Sequence, residues 1–507
     1  MEFYRTRNIF INAKDKQYPY FDKVTHLANN LSNAVRFRQR QIYTAVRKEP
    51  EKLSDHERNV LKEFSDSGFT FDKDHYIPKT SVMEDVMEKT HNPDYFAKGL
   101  SSQARYHVID NTCQDMWNYV KEKKDYYLHP EKYNGEPKYP GYKHKGDQCT
   151  LEFTNQDCKV HIKKDGKAYV GFPYNQKDKI CLGFIAKGDE LAHVTVTPMN
   201  CVFQVSFVFK VTMPDAEYPL TSGRIAGIDF GVDNFMAVTN NCGLPLLLYK
   251  GGVVKSVNQL YNKKLASIMK VEMEKPDCPK NKDGNPKFVP TPESKRITQH
   301  RNNSVHDFML KTACHFIQWC VDNRIDTVVV GVNKEWKQES PMDHVRNQNF
   351  VQIPYADMRW ILSYKCAENR ILYVEQEESY TSKASFLDGD YIPTYGVDDE
   401  KAKFSGRRKP TRYKGMYKKK GFRGLYKSKD GTIINSDLNG SANIIRKAFP
   451  DAFTCGSMPD FTDVVIINYV GEEAAKRNHA KQMAEPATIS KSKTRRMKHK
   501  QHIAANN

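Results

Sequence analysis

The sequence contains no Cys-x-x-Cys pair. Its 11 cysteines are odd in number and scattered between Cys113 and Cys455, which argues against both a disulfide framework and a zinc knuckle and leaves most of them as reduced, buried fillers. No apolar run approaches the roughly 20 residues that span a bilayer. The first residues, Met1-Glu2-Phe3-Tyr4-Arg5-Thr6-Arg7, carry charge from the second position, so a cytosolic or nuclear protein is expected. An acidic balance is also missing: 79 Lys and Arg stand against 61 Asp and Glu, a formal charge of +18. Such an excess draws polyanions and makes nucleic acid the leading partner. Asp229-Phe230-Gly231 looks like a kinase tripeptide, but no Gly-rich loop, Val-Ala-Ile-Lys strand or His-Arg-Asp loop precedes it, which excludes that class.

What is present is a long, polar, multidomain chain of 507 residues. Near the start, Phe21, Val24, Leu27, Leu31 and Val35 recur at helical spacing and lead into Arg36-Phe37-Arg38-Gln39-Arg40-Gln41-Ile42-Tyr43. Alternating cations and aromatics can touch phosphates and stack on bases, while the plainer reading is a solvated helix face over buried aromatics. Another helical stretch runs from about Asn92 to Tyr119, followed by the basic, turn-rich Pro137-Lys138-Tyr139-Pro140-Gly141-Tyr142-Lys143-His144-Lys145. From about Thr150 to Met213 the pattern has period two, clearest in Phe203, Val205, Phe207, Phe209 and Val211, and predicts a small barrel or sandwich. Then come a strand ending at Asp229, strands over Phe235 to Thr239 and Pro245 to Tyr249, a charged insertion and a helix with Val305, Phe308, Met309, Ala313, Phe316, Ile317 and Val321 on one face. A buried strand at Thr327 to Gly331, a helix over Tyr355 to Glu368 and a strand at Ile371 to Val374 follow. Three strands, helix, strand, helix, strand, helix is the order of an RNase H-like mixed sheet.

Asp229, in Ile225-Ala226-Gly227-Ile228-Asp229-Phe230-Gly231, ends a strand where a carboxylate can hold a metal, although a strand-terminal Asp with a Gly soon after it more often just makes a turn. Glu378, in Glu377-Glu378-Ser379-Tyr380-Thr381-Ser382-Lys383, and Asp437, in Asn435-Ser436-Asp437-Leu438-Asn439-Gly440, also stand at the edges of regular structure. Clustered carboxylates suit two hard divalent cations roughly 3.5 to 4 Å apart, as nucleases and recombinases use them.

Gly227 to Asn234, Tyr380 to Ser385 and Asp437 to Ile444 together resemble the split RuvC motifs of the TnpB proteins of insertion sequences, relatives of compact type V CRISPR effectors. Leu100-Ser101-Ser102-Gln103 and Pro140-Gly141-Tyr142-Lys143 resemble that family's amino-terminal domains. The resemblance implies a multidomain α+β protein, divided as follows. Residues 1–17 give a first wedge strand, 18–125 a helical recognition domain and 126–222 a barrel-like wedge. Residues 223–382 and 431–470 form an RNase H-like (RuvC) α/β nuclease domain, 383–430 a basic insertion lacking zinc ligands that binds target nucleic acid, and 471–507 a basic tail that stays disordered without a partner. It implies an RNA-guided DNA endonuclease that binds a guide RNA, reads a short motif beside its double-stranded DNA target and also handles single-stranded DNA. Two Mg²⁺ ions, or Mn²⁺, would sit on Asp229, Glu378 and Asp437, without zinc. The chain would act as a monomer with its RNA, in the cytoplasm on the nucleoid of a prokaryote or in the nucleus of a eukaryote.

Two departures qualify the match. Gly331 stands where most of the family has its second acid; a subset of TnpB proteins and the eukaryotic Fanzor proteins place a Glu downstream instead, which here is Glu378, with Glu377 and Glu375 as alternatives. The usual four cysteines are also absent, Ala384 and Ser385 standing where the first would be. Their place is taken by a basic stretch that includes Arg407, Arg408, Arg412 and Arg423, expected to contact the target strand or heteroduplex. With Arg36, Arg38, Arg40, Tyr142, Lys143 and Lys145 these are the expected nucleic-acid-binding residues. Loss of the second acid also leaves a cleavage-deficient, RNA-guided DNA-binding protein as the alternative, and a DNA-joining transposase shares the acids.

Overall fold

The computed structural model describes residues 2–73, 75–185, 188–212, 222–333, 352–411, 422–454 and 456–469. Glu335, Arg412 and the basic carboxyl-terminal stretch lie outside these residues, as does the side chain of Arg423. The chain divides into two units, Met1–Ala216 and Glu217–Asn507.

The first unit begins with β1 (Glu2–Asn12) and α1 (Tyr18–Ala45), followed by α2 (Asp55–Asp66), α3 (Thr80–Lys89) and α4 (Ser102–Leu128). The helical periodicity is real: Phe21, Val24, Leu31 and Val35 are buried in one core. The expected helix from Asn92 begins ten residues later. Pro93 and Gly99 interrupt the stretch, and the Ser101 side chain caps the helix by accepting from the Ala104 amide. Then come β2 (Leu151–Thr154), β3 (Val160–Ile162), β4 (Ala168–Phe172), β5 (Asn175–Gly183), β6 (Glu190–Pro198) and β7 (Val202–Thr212). The alternation in β7 buries Phe203, Val205, Phe207 and Phe209. The barrel does not close. Among the described residues there are two open antiparallel sheets, β1-β7-β6-β2 and β3-β4-β5. β1, from the start of the chain, fills the edge beside β7 over eleven residue pairs.

The second unit is built on β8 (Ile225–Phe230), β9 (Asn234–Asn240), β10 (Leu246–Lys250), α5 (Gly252–Met273), α6 (Pro292–Asp322), β11 (Thr327–Val332), α7 (Tyr355–Glu368) and β12 (Leu372–Glu377). β13 (Arg407–Thr411), β14 (Phe422–Lys427) and β15 (Ile433–Asn435) form a separate antiparallel sheet, and α8 (Ser436–Ala448) and β16 (Val464–Ile467) complete the unit. The main sheet runs β12-β11-β8-β9-β10-β16. β8, β9 and β10 form the expected antiparallel meander, and β11 and β12 run parallel to β8. Sequence patterning missed α5, which buries only Val254 and Asn258, and the sixth strand, β16.

Strand parity decides which residues face which layer. Ala226, Ile228 and Phe230 of β8 and Val328 and Val330 of β11 pack in one cluster with α6 and α7. Ile225 and Val329 face the other way, onto Ile444 and Ile445 of α8. Asp229 and Gly331 share that second parity and so lie on the α8 side.

Candidate active site

α8 brings Asp437 to Asp229. The helix is almost wholly buried, with Leu438, Asn439, Gly440, Ser441, Ala442, Asn443, Ile444 and Ile445 all shielded. Its small residues allow the approach: a Cβ on Gly227 would meet the Ser441 carbonyl oxygen at 2.6 Å, and one on Gly440 would overlap the Asp229 carboxylate. Asn435 caps the helix by accepting from the amides of Asp437 and Leu438, which sets Asp437 in its first turn, where a carboxylate is favoured by the helix dipole.

The same helix positions Glu378. Asn439 Nδ2 donates to the Ala384 carbonyl at 2.9 Å while its Oδ1 accepts from the Phe386 amide at 3.0 Å. Asn443 Nδ2 donates to the carbonyls of Thr381 and Ala384, both at 2.8 Å. These buried asparagines tie the 380–386 segment to α8. Thr381 in turn donates through its amide and hydroxyl to the Glu378 carbonyl, and the Glu378 amide donates to the Val332 carbonyl at 3.2 Å.

The site explains the missing second acid sterically. A Cβ on Gly331 would meet Ile444 Cδ1 at 2.5 Å and Glu378 Oε2 at 2.8 Å. Glu378 thus reaches into the space a side chain at 331 would take. The two neighbouring glutamates are engaged elsewhere. Glu375 is exposed on the α7 side, bonded to Arg359 at 3.3 Å and Tyr373 at 3.0 Å. Glu377 accepts from Lys447 Nζ at 2.5 Å and from the Ser379 amide at 2.6 Å. Burial pushes its carboxyl up, but these donors outweigh burial and hold it below its usual range.

Asp229 behaves as a crowded acid. Its pKa is raised well above the ordinary value, by burial first and then by the charges of Glu378 and Asp437, with Arg408 opposing. The Tyr355 phenol is buried at the same place and raised by burial and by the same three carboxylates; its hydroxyl donates to the Gly231 carbonyl at 2.9 Å. Arg408 Nη2, from β13, stands 3.8 Å from Asp437 Oδ1. Asn234 Nδ2 donates to Asp437 Oδ2 at 2.7 Å, and Lys250 Nζ donates to Asn234 Oδ1 at 2.6 Å. Sequence reading missed Tyr355, Asn234, Lys250 and Lys447. Lys447 follows helical spacing from Asn439 and Asn443 and Asn234 closes the first motif, but nothing in the sequence signals Tyr355 or Lys250.

Three hard carboxylates around one space, kept open by glycines at 331 and 440, are a donor set that fits Mg²⁺ or Mn²⁺. Among the described residues no three Asp, Glu, His or Cys side chains stand as a ready-made ion site.

The expected nucleic-acid contacts divide. Arg36 and Arg38 are corrected: they are 4% and 7% exposed, and their guanidinium groups bond Asp115 at 2.6 Å and Glu63 at 2.8 Å. They lie on the packed side of α1, between α2 and α4. Arg40 is exposed and lies over the rings of Tyr139 and Tyr142, 5.4 and 5.0 Å from their centroids. Tyr142, Lys143 and Lys145 are exposed, and the Lys143 Nζ also reaches Cys149 Sγ at 2.8 Å. Arg407 and Arg408 are exposed on β13.

A mixed sheet with three acids gathered where β8, the end of β12 and the start of α8 meet defines a protein of the carboxylate-site class. The model of the OrfB_IS605 family, described as a probable transposase, matches residues 208–337 of the 507. Comparison with curated proteins found no match. Among solved structures, the chain is similar to the protein of a Cas12f1–sgRNA–target DNA complex, with 13% identity, 87% of this chain and 98% of that one covered, and a TM-score of 0.29. It is also similar to AacC2c1 in an sgRNA–extended non-target DNA ternary complex, with 7% identity, coverage of 83% and 70%, and a TM-score of 0.41. C2c1 of Alicyclobacillus acidoterrestris with single-guide RNA gives 8% identity, coverage of 85% and 71%, and a TM-score of 0.33. TM-scores this low carry no weight for fold or function. Among the described residues no helix is long and apolar enough to cross a membrane.

Proposed function

We propose that this protein is an RNA-guided DNA endonuclease that hydrolyses DNA with Asp229, Glu378 and Asp437 as the ligands of two Mg²⁺ ions. The observation that carries the reading is Glu378 Oε2 lying 2.8 Å from where a side chain at 331 would begin, so that the carboxylate missing from β11 is replaced in space by one from the end of β12. The TnpB family match supports the guided reading. When bound, the ions would activate the attacking water and stabilise the leaving oxygen.

The chain's own groups set the rest. Asp229 carries the like charge of Glu378 and Asp437 on top of its burial, a repulsion that a bound cation would relieve. Tyr355 holds the Gly231 carbonyl and with it the turn after Asp229. Arg408 stands beside Asp437 and Arg407 is exposed on the same strand; both would meet the phosphates of a single DNA strand. Base pairing with the guide would choose the sequence, leaving the protein to read backbones and the motif beside the target. The alternative, guided binding without cleavage, is motivated by Gly331, which stands where most of the family has its second acid.

The test is to purify the protein with its native RNA, sequence that RNA and supply DNA matching its variable end with Mg²⁺. One structured RNA and cleavage at the matched site support the proposal. Heterogeneous cellular RNA with no matched cleavage refutes it, and matched binding without cleavage selects the alternative.

A further inference from the structure

We propose that Lys250 is a positioning residue for the third acid: acting through the Asn234 amide, it fixes the orientation in which the Asp437 carboxylate is presented to a divalent cation. The inference rests on Asp437 being a metal ligand.

Asn234 opens β9 and is 6% exposed. Its two amide heads point in opposite directions, Nδ2 to Asp437 Oδ2 at 2.7 Å and Oδ1 to Lys250 Nζ at 2.6 Å. An ammonium group has donors only, so the amide oxygen must face Lys250 and the NH₂ must face the carboxylate. A flip would lose both bonds in a buried place and set an oxygen against a carboxylate oxygen. Asp437 Oδ2 is thereby engaged. Oδ1 accepts from the Ser436 hydroxyl at 3.2 Å and stands 3.8 Å from Arg408 Nη2, so the carboxylate is held at both ends in one orientation.

Lys250 is itself placed by a device of the sheet. Tyr249 pairs with Met236, and regular pairing would set Lys250 opposite Phe235. The register shifts at this step, so Lys250 stands opposite Asn234. A bulge of this kind re-aims a side chain. The next residue must be glycine, since a Cβ on Gly251 would overlap the Val232 carbonyl oxygen, and the Gly251 amide donates to the Asp233 carbonyl at 3.0 Å. Lys255, in the first turn of α5, pairs with the Asp233 carboxylate. The end of β10 is thus bound to the turn that follows Asp229, and Lys250 extends that connection to Asp437.

The test measures Mn²⁺ affinity by titration calorimetry on the full chain with its copurified RNA, in the absence of DNA. Lys250→Met is expected to bind Mn²⁺ about tenfold more weakly, the effect typical of a lost partner behind a metal ligand. Lys250→Arg should recover most of the affinity. Asn234→Ala should match Lys250→Met, and the double variant should be no worse than either single one, since both act through the same carboxylate. Unchanged affinity in Lys250→Met and Asn234→Ala, with affinity lost in Asp437→Ala, overturns this inference alone. Wild-type affinity in Asp437→Ala overturns the metal-ligand reading beneath it. Full additivity of the two single losses would also contradict the relay, and if Lys250→Met does not fold, the Asn234→Ala and Lys250→Arg proteins decide the question.

Discussion

Two groups of charged residues stood out in the sequence, and the fold treats them in opposite ways. The arginines of α1 are adjacent in sequence and separate in space: Arg36 and Arg38 turn inward to Asp115 and Glu63, and Arg40 turns outward over Tyr139 and Tyr142. Asp229, Glu378 and Asp437 are far apart in sequence and share one space. Burial along this run follows the neighbours of α1: α4 and α2 supply Asp115 and Glu63 to Arg36 and Arg38, and Arg40 meets the rings of the loop after α4. The acids gather because Asn439 and Asn443 of α8 tie in the segment after Glu378 and Gly440 lets the helix approach Asp229. Sequence adjacency of like charge therefore said less about a site than the small and amide residues around isolated acids.

The largest expected effect comes from moving the acid back. Glu378→Ala should lower cleavage by at least about a hundredfold, and Gly331→Asp added to it should not rescue, because Ile444 stands 2.5 Å from the new Cβ. Adding Ile444→Ala makes room, so partial recovery in the triple variant, read by single-turnover cleavage, would sharpen the steric account.

The second prediction concerns charge crowding. The folded pKa of Asp229 lies above its unfolded value, so with metal chelated the protein should lose stability as pH rises from near 4 through the folded value. Asp229→Asn should raise the thermal midpoint at neutral pH in chelator, and added Mg²⁺ should raise the midpoint of wild type more than that of the variant.

The third breaks the comparison at its other end. Arg36→Met should change stability by about 1 kcal/mol or less, because the Asp115 carboxylate it leaves is 58% exposed and stays solvated, with no change in the salt dependence of nucleic-acid binding. Arg40→Ala should leave stability nearly unchanged and flatten the salt slope by about one phosphate contact. A slope altered by Arg36→Met and not by Arg40→Ala would reverse the assignment.

The smallest effect concerns Glu57, which caps α2 and pairs with Lys48 at 2.7 Å. Burial opposes its ionisation, but bonds from Lys48, Thr44 and Ser54 lower its carboxyl to about 2. Its contribution should be complete above the unfolded value near 4.5 and lost as pH falls toward 2. Glu57→Gln should flatten acid unfolding in that window, as followed by circular dichroism.

Much of this was legible in the sequence, for physical reasons. Period-two patterning located β7 and the meander, and α7 falls on the expected Tyr355 to Glu368. The wedge barrel was not legible, because alternation identifies strands and says nothing of closure, and the described residues of the first unit form two open sheets. α5 was missed because it has almost no buried face to leave a pattern. For the acids, parity carried more than was used: Glu375 shares the phase of Tyr373, which packs on the α7 side, whereas Val374 packs with Ile444 and Ile445. Lys250 and Tyr355 were hidden because a bulge and packing between elements far apart in sequence place them.

The central claim is that Glu378, and neither neighbouring glutamate, completes the site. The direct measurement is Mg²⁺-dependent cleavage of guide-matched DNA by Glu378→Ala, Glu377→Ala and Glu375→Ala, each loaded with the native RNA and checked for target binding. The account predicts loss of cutting with binding intact in Glu378→Ala, a destabilised but active Glu377→Ala and an unaffected Glu375→Ala. Wild-type cutting by Glu378→Ala would contradict it.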